Sequence, residues 1–359
     1  MANKIKNILF SATRQWNPGD EFILFGCENI IRSLGVEFNS VLFNRNPEVR
    51  PLKAYLNPFR KNVKSKFLSS EKLNAFLRLG FKDNSFKDDT DPSFIDYAVF
   101  AGSPEFDSPR LKSMYLAIKE KNIPCAFLGI GSKPSSKDKD VLSVIQNAAV
   151  FTVRAPSLLS PAAPGAVYMP CPALFSTGVS CEKEVKEVKK IALAFAVSSD
   201  MTPASNGINP KIYVYQSEFF NAVINKFKTA QVCIVCHYID ELPYAHKLFG
   251  GRQIFYSYDA AAYKEIYKQF DLVISPRVHA VGMCASLGIP GMVIAHDWRG
   301  ETADGFLGEK ISLDTPAEDA LKAVEKLAAR AAQKSLNLAA HKRETLLKYQ
   351  NLLGPFFKK

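Results

Sequence analysis

The sequence contains no run near the roughly 18 uninterrupted apolar residues that a membrane-spanning helix needs, which excludes such a helix. Its opening stretch, MANKIKNILFSATRQW, turns polar too soon for the apolar region of a secretory signal, so the expected location is the cytoplasm. Low-complexity tracts are absent, Gly and Pro are in ordinary supply and 47% of the residues are hydrophobic, which excludes a disordered or fibrous chain. A disulfide framework is missing too. The seven cysteines, an odd number, sit mostly in apolar runs such as IPCAFLGIG, QVCIVCHY and GMCASLG, the usage of small buried hydrophobes in a reducing compartment. CIVCH matches the haem-attachment pattern in letters only. Its alternation is that of a strand, whereas attached haem needs cysteines on an exposed loop or helix. GIGSKP lacks the third glycine of a dinucleotide fingerprint. No nucleic-acid motif accompanies the net charge of +11, so nucleic acid is not an expected partner.

What is present is a repeated alternation of strand-like apolar runs and helix-like segments, the signature of parallel sheets covered by helices on both faces. At 359 residues the chain suits two domains of about 150 residues each, and two domains imply a cleft. KNILFSAT, EFNSVLFN, YAVFAGS, PCAFLGIGS, AVFTVRA and AVYMP place a first α/β domain over residues 1–178. SCEKEVKEVKK is an apolar-poor linker, after which IALAFAVS, QVCIVCHY, QIFYSY, DLVISP and GMVIAH restart the pattern in a second domain, 179–332. Residues 333–359 continue with helical periodicity and are expected to pack back on the first domain. Most of the positive charge lies in an insert at about 45–92: from Arg45 to Lys87 there are eleven Lys or Arg against three acids. These charges interleave with Tyr55, Phe59, Phe67, Phe76, Phe81 and Phe86, a composition that suits an anionic membrane surface and gives the expectation of peripheral docking through residues 45–87. DDTDP, with its DxD, sits in a polar loop before a strand and reads as solvated turn chemistry.

In open parallel sheets ligands bind beyond the carboxyl ends of the strands, where loops and helix N-termini converge. Polar residues at those ends are therefore the site candidates. NPGDE after the first strand offers Asn17, Asp20 and Glu21, with Asp20 also suited to capping the following helix. AGSPEFD offers Gly102, Ser103 and Glu105. GIGSKPSS offers Gly131, Ser132 and a set of amides able to meet an anion. TVRAPSLL ends a strand with Arg154, and CIVCHYIDE ends one with His237 beside Asp240 and Glu241. The most specific stretch is ISPRVHAVGMCASLGIPGMVIAHDWRG. A buried strand passes into a helix that is apolar nearly all round, so Arg277 and His279 are held at the helix N-terminus, where backbone amides already favour an anion. Arginine supplies a planar fork for carboxylate or phosphate, and histidine a donor that can also deliver a proton. His296, Asp297 and Arg299 follow at the next strand end.

NPGDE, AGSPEFD, GIGS, TVRAPSLL followed by PCPAL, and above all DLVISPRVHAVGMCASLGIPGMVIAHDWR, in this order over about residues 6 to 300, resemble the polysaccharide pyruvyl transferase family. The resemblance implies two Rossmann-like domains facing a cleft as in GT-B glycosyltransferases, the acceptor on the first domain and the donor on the second. It implies phosphoenolpyruvate as donor substrate, a cell-envelope sugar or its lipid-linked precursor as acceptor, and no metal or cofactor. Arg277 and His279 match the family's arginine-x-histidine pair and would hold the donor's phosphate and carboxylate, with His279 the first choice for proton donor or phosphate anchor. Arg154 matches the arginine that precedes PCPAL. Two departures stand out: Ala155–Pro156 and Cys171 occupy positions where many members carry aspartate. Asp20 or Glu21 is the candidate base or acceptor ligand. A glycosyltransferase using a nucleotide sugar is the alternative on the same fold, with Glu301 as candidate nucleotide ligand.

Overall fold

The computed structural model describes residues 5–13, 17–45, 92–197 and 208–358. The basic insert beyond Arg45 and the DDTD segment lie outside the described residues.

The first sheet contains β1 (Lys6–Ala12), β2 (Phe38–Asn44), β3 (Tyr97–Ala101), β4 (Cys125–Ile130), β5 (Val150–Val153) and β6 (Ala166–Tyr168), all parallel, in the order β2-β1-β3-β4-β5-β6. The second contains β7 (Lys190–Phe195), β8 (Gln231–Cys236), β9 (Ile254–Phe255), β10 (Leu272–Ser275), β11 (Gly291–Ala295) and β12 (Glu309–Ser312), in the order β12-β11-β10-β7-β8-β9. The central strands YAVFA and LVIS are buried along their whole length, as expected where helices cover both faces of a parallel sheet. Chain direction across each sheet reverses once, between β1 and β3 and between β7 and β10. Those switch points open crevices at the carboxyl ends of the strands.

Helix α1 (Pro18–Arg32) follows β1 at the first switch point, with Pro18 at its start and Asp20 and Glu21 in its first turn. It lies directly on the PCPAL turn: a Cβ on Gly26 would fall 1.8 Å from the Pro172 carbonyl oxygen, so only glycine fits there. Around the first sheet run α2 (Lys112–Glu120) and α3 (Lys139–Gln146). The second sheet carries α4 (Ile212–Lys226), α5 (Leu242–Phe249), α6 (Tyr263–Lys268), α7 (Val278–Leu287) and α8 (Ala317–Ala329). In α7, VHAVGMCASL, every residue except His279 is buried. Its fully buried Met283 and Leu287 each contribute about 1.5–3 kcal/mol by leaving water. The helix ends at Gly288, φ +96°, where a side chain would strike the Lys183 carbonyl at 2.3 Å.

Helix α9 (Ala331–Phe357) leaves the second domain and returns to the first. Tyr349 Oη donates to Pro170 O at 2.7 Å, and the rings of Phe356 and Phe357 pack on Tyr97 at 5.1 and 5.0 Å. Midway, the buried Lys342 Nζ donates to Ser180 O at 2.9 Å and to Ser286 O at 2.5 Å, tying the helix to the linker and to α7.

Candidate active site

Both crevices face one cleft, lined from the first domain by Asn17 and Gly19 and from the second by Tyr238, Arg277, His279 and Asp297, among others. Arg277 stands at the N-cap of α7 and His279 two residues later, within its first turn. The turn before them is fixed by Ser275, whose hydroxyl accepts from the Arg277 N–H at 2.8 Å.

His279 meets the first domain on both ring nitrogens. Arg154, at the end of β5 and only 2% exposed, points Nη1 at His279 Nε2 across 3.1 Å. Arginine can only donate, so Nε2 accepts and the neutral ring carries its proton on Nδ1. That nitrogen faces Gly19 in the first turn of α1, where a Cβ would sit 2.7 Å away. Burial, reinforced by the charges of Arg154 and Arg299, holds the imidazole well below the ordinary histidine range. Arg154 lies flat on Gly131, where a Cβ would approach Nη2 to 2.5 Å, and its Nε has no partner among the described residues. Cys171 Sγ lies 4.0 Å from His279 Nε2. Burial raises the Cys171 pKa, so the group beside the imidazole is a neutral thiol.

Arg277 is held from within its own domain. Glu241, fully buried, binds Nη2 with Oε1, and its Oε2 accepts from the N–H groups of His237 and Tyr238 at 2.8 and 3.0 Å. The guanidinium lies over the Tyr238 ring at 4.1 Å. Burial works against the arginine's charge, but Glu241 outweighs it and lifts the guanidinium pKa above its ordinary value. Tyr238 Oη then crosses the cleft to donate to Asn17 Oδ1 at 3.2 Å.

Other candidates fall into three groups. Asp20, 6% exposed, does not cap α1. The N-cap is Asn17, which makes no side-chain capping bond. Burial pushes the Asp20 carboxyl up, with Arg45 and Arg154 pulling the other way. Arg45, which sequence reasoning passed over as one charge in a basic run, is buried at the end of β2. It reaches past β1 to donate to the carbonyls of Ala101 and Gly102 at 2.8 and 3.0 Å. Glu21 is also buried in the first turn of α1. Gly102 and Ser103 form a left-handed turn at φ +59° and +73°. Within it the Ser103 hydroxyl accepts from the N–H of the exposed Glu105 at 3.1 Å, while Ser132 Oγ donates to Pro104 O at 2.8 Å. The amides of GIGSKPSS are not all open to an anion, because Asp107 accepts from the Ser136 N–H at 2.8 Å and from Ser135.

In the second domain His237 is buried, with Nε2 2.7 Å from Tyr267 Oη and the ring edge-on to Phe22 of α1. Burial and Arg277 hold it well below the histidine range. His296 lies against Asp297, Nδ1 to Oδ2 3.3 Å, and Asp297 accepts from Arg299 Nε at 2.7 Å and from the Arg299 N–H at 2.8 Å. Glu301 accepts from Ser157 Oγ at 2.6 Å, a further link between the domains. Glu241 and Tyr238 were the residues least visible beforehand. The one available signal was the three-residue offset between them, which lets the Glu241 carboxylate reach back to the Tyr238 N–H.

Solved structures with the same fold include S. aureus MnaA with UDP, at 12% identity and TM-score 0.57 over 99% of this chain and 97% of that one. Others are a putative UDP-N-acetylglucosamine 2-epimerase from Listeria monocytogenes, at 10%, TM-score 0.57, over 98% and 97%, and the spinosyn rhamnosyltransferase SpnG, at 10%, TM-score 0.52, over 98% and 100%. At these identities the likeness establishes the architecture alone, two Rossmann-like domains in the GT-B arrangement. No curated protein matches the sequence. The model of the polysaccharide pyruvyl transferases matches residues 17–297, a span that begins at Asn17 and takes in Arg154, Arg277 and His279, and this chain belongs to that family.

Proposed function

We propose that the protein transfers the pyruvate carbons of phosphoenolpyruvate to two hydroxyls of one sugar in a cell-surface polysaccharide or its lipid-linked precursor, forming a ketal and releasing phosphate. The observation that carries the reading is the His279 imidazole, held neutral between Arg154 of one domain and the Arg277-bearing turn of the other. Phosphoenolpyruvate is a small anion whose carboxylate and phosphate diverge from C2 as its two charged ends. Two guanidiniums in different domains suit those ends, and neither a metal nor a cofactor enters the reaction.

The chemistry needs a proton on the enol methylene while a sugar hydroxyl adds to C2. A second hydroxyl then displaces phosphate from C2 and closes the ring. Two hydroxyl protons leave the acceptor; one balances the new methyl group and the other departs with phosphate. Free His279 is neutral because burial and cationic neighbours disfavour its charge. A bound polyanion reverses that balance and gives the Arg154 N–H another acceptor, which frees Nε2 to take up the proton that the methylene receives. Asp20, near the start of α1 on the acceptor side, is the base for the attacking hydroxyl.

Ligand binding to the native state at about a hundredfold over Kd raises stability by roughly 2.7 kcal/mol. Phosphoenolpyruvate should give the corresponding melting shift without added metal, and Arg277→Ala should abolish it. A shift from a uridine or guanosine diphosphate sugar with none from phosphoenolpyruvate would replace this reading with glycosyl transfer.

A further inference from the structure

The reading of Arg277 as a ligand of the donor anion leaves open what aims it. A long side chain with several rotatable bonds binds an anion weakly if it must be ordered at the moment of binding. Here the ordering is built in. Glu241 has no freedom of its own, since Oε2 is pinned by two successive backbone N–H groups and Oε1 takes Arg277 Nη2. The Tyr238 ring supports the guanidinium face at 4.1 Å. Arg277 Nε is left with no partner among the described residues. The same tyrosine reaches the other domain through its hydroxyl, 3.2 Å from Asn17 Oδ1 at the start of α1. The ring and the hydroxyl therefore bear on opposite sides of the cleft.

Resting on the donor-site reading above, we propose that Glu241 and Tyr238 are positioning residues. Glu241 fixes the Arg277 guanidinium for the donor anion, and Tyr238 registers that guanidinium against the acceptor-side helix α1. The two roles separate by substitution. Glu241→Gln keeps an oxygen for the backbone N–H groups but turns an amide donor or a weaker acceptor toward Arg277, so the guanidinium loses its anchor. Tyr238→Phe keeps the supporting ring and removes only the hydroxyl that meets Asn17.

The test measures phosphoenolpyruvate binding by calorimetry and turnover by phosphate release, on full-length protein whose folding is followed by circular dichroism. Glu241→Gln should raise the donor Kd about tenfold or more. Its effect should be non-additive with Arg277→Lys, because both substitutions act on one contact. Tyr238→Phe should leave the donor Kd within about twofold and lower kcat about three- to tenfold, the signature of an interaction that matters once both substrates are aligned. A folded Glu241→Gln protein with wild-type donor Kd would reduce Glu241 to a scaffold residue and overturn its half of the proposal. Wild-type kcat in Tyr238→Phe would overturn the other. A wild-type protein that binds no phosphoenolpyruvate sinks the donor-site reading and this inference with it, a result distinct from either variant's failure.

Discussion

Replacing Gly19 with alanine adds one methyl group at the point where the first domain meets His279, the proposed proton donor. The new Cβ would lie 2.7 Å from His279 Nδ1 and 3.3 Å from both His279 Cβ and Asn17 Oδ1. Ordinary contact begins near 3.4 Å, so about 0.7 Å must be found by something moving. The imidazole cannot retreat freely, because Arg154 meets its other nitrogen at 3.1 Å. Helix α1 cannot retreat either, since Gly26 further along it rests on the Pro172 carbonyl. Position 19 is helical, where alanine is intrinsically better than glycine by roughly 0.5–1 kcal/mol. Overpacking of this kind costs about 1–3 kcal/mol, so the net stability change should be a loss of no more than about 2.5 kcal/mol, measurable by urea unfolding. Function should suffer more. A displacement near 1 Å at a reacting group costs up to about a hundredfold, and kcat/KM for phosphate release should fall ten- to a hundredfold in a folded protein. Wild-type kcat/KM in Gly19→Ala would show that the imidazole need not sit where it does, and would refute its role at the reacting centre.

Two further outcomes follow from buried charge. The folded pKa values of His237 and His279 lie well below the ordinary value, burial being the main cause. The unfolded chain therefore takes up protons first as pH falls through about 6.5, and stability is lost below that pH by up to about 1.4 kcal/mol per pH unit for each histidine. Urea unfolding between pH 7.5 and 5.5 should show a shallower slope in His237→Gln than in wild type, and equal slopes would contradict the assignment. Arg45→Met removes the donors to Ala101 and Gly102 and leaves Asp20 with Arg154 alone of its two cationic neighbours. A loss of about 3–5 kcal/mol is expected, and a melting temperature unchanged from wild type would show that the Arg45 charge is not a structural element.

The architecture was legible because its cause is local. Parallel strands buried on both faces must be short apolar runs, and runs such as YAVFA and LVIS read as little else. Arg277 and His279 were legible for a related reason: α7 is apolar all round, so two polar residues at its start need a purpose. Arg154 was visible only as a strand-end arginine, and nothing in TVRAPSLL reveals that it crosses the cleft to a histidine 125 residues later. Pairing across the fold is set by how two sheets face each other, which no local pattern encodes. For the same reason the sequence shows Glu241 only as a neighbour of His237 and not as the anchor of Arg277. Arg45 was lost among the charges that follow it. Nothing in AGSPEFD reveals that Asp107 accepts from the Ser135 hydroxyl and the Ser136 N–H of the loop after β4.

Helix α9 completes the first domain although it follows the whole second sheet in the chain. During synthesis, the surface around Tyr97 and Pro170 stays bare until every strand of the second domain has been made. The first domain's core is thus finished last, and its two parts reach the folding chain separated by the time needed to translate the entire second domain. A partly made chain can contain every residue of the cleft and still lack the clasp that keeps its walls in register.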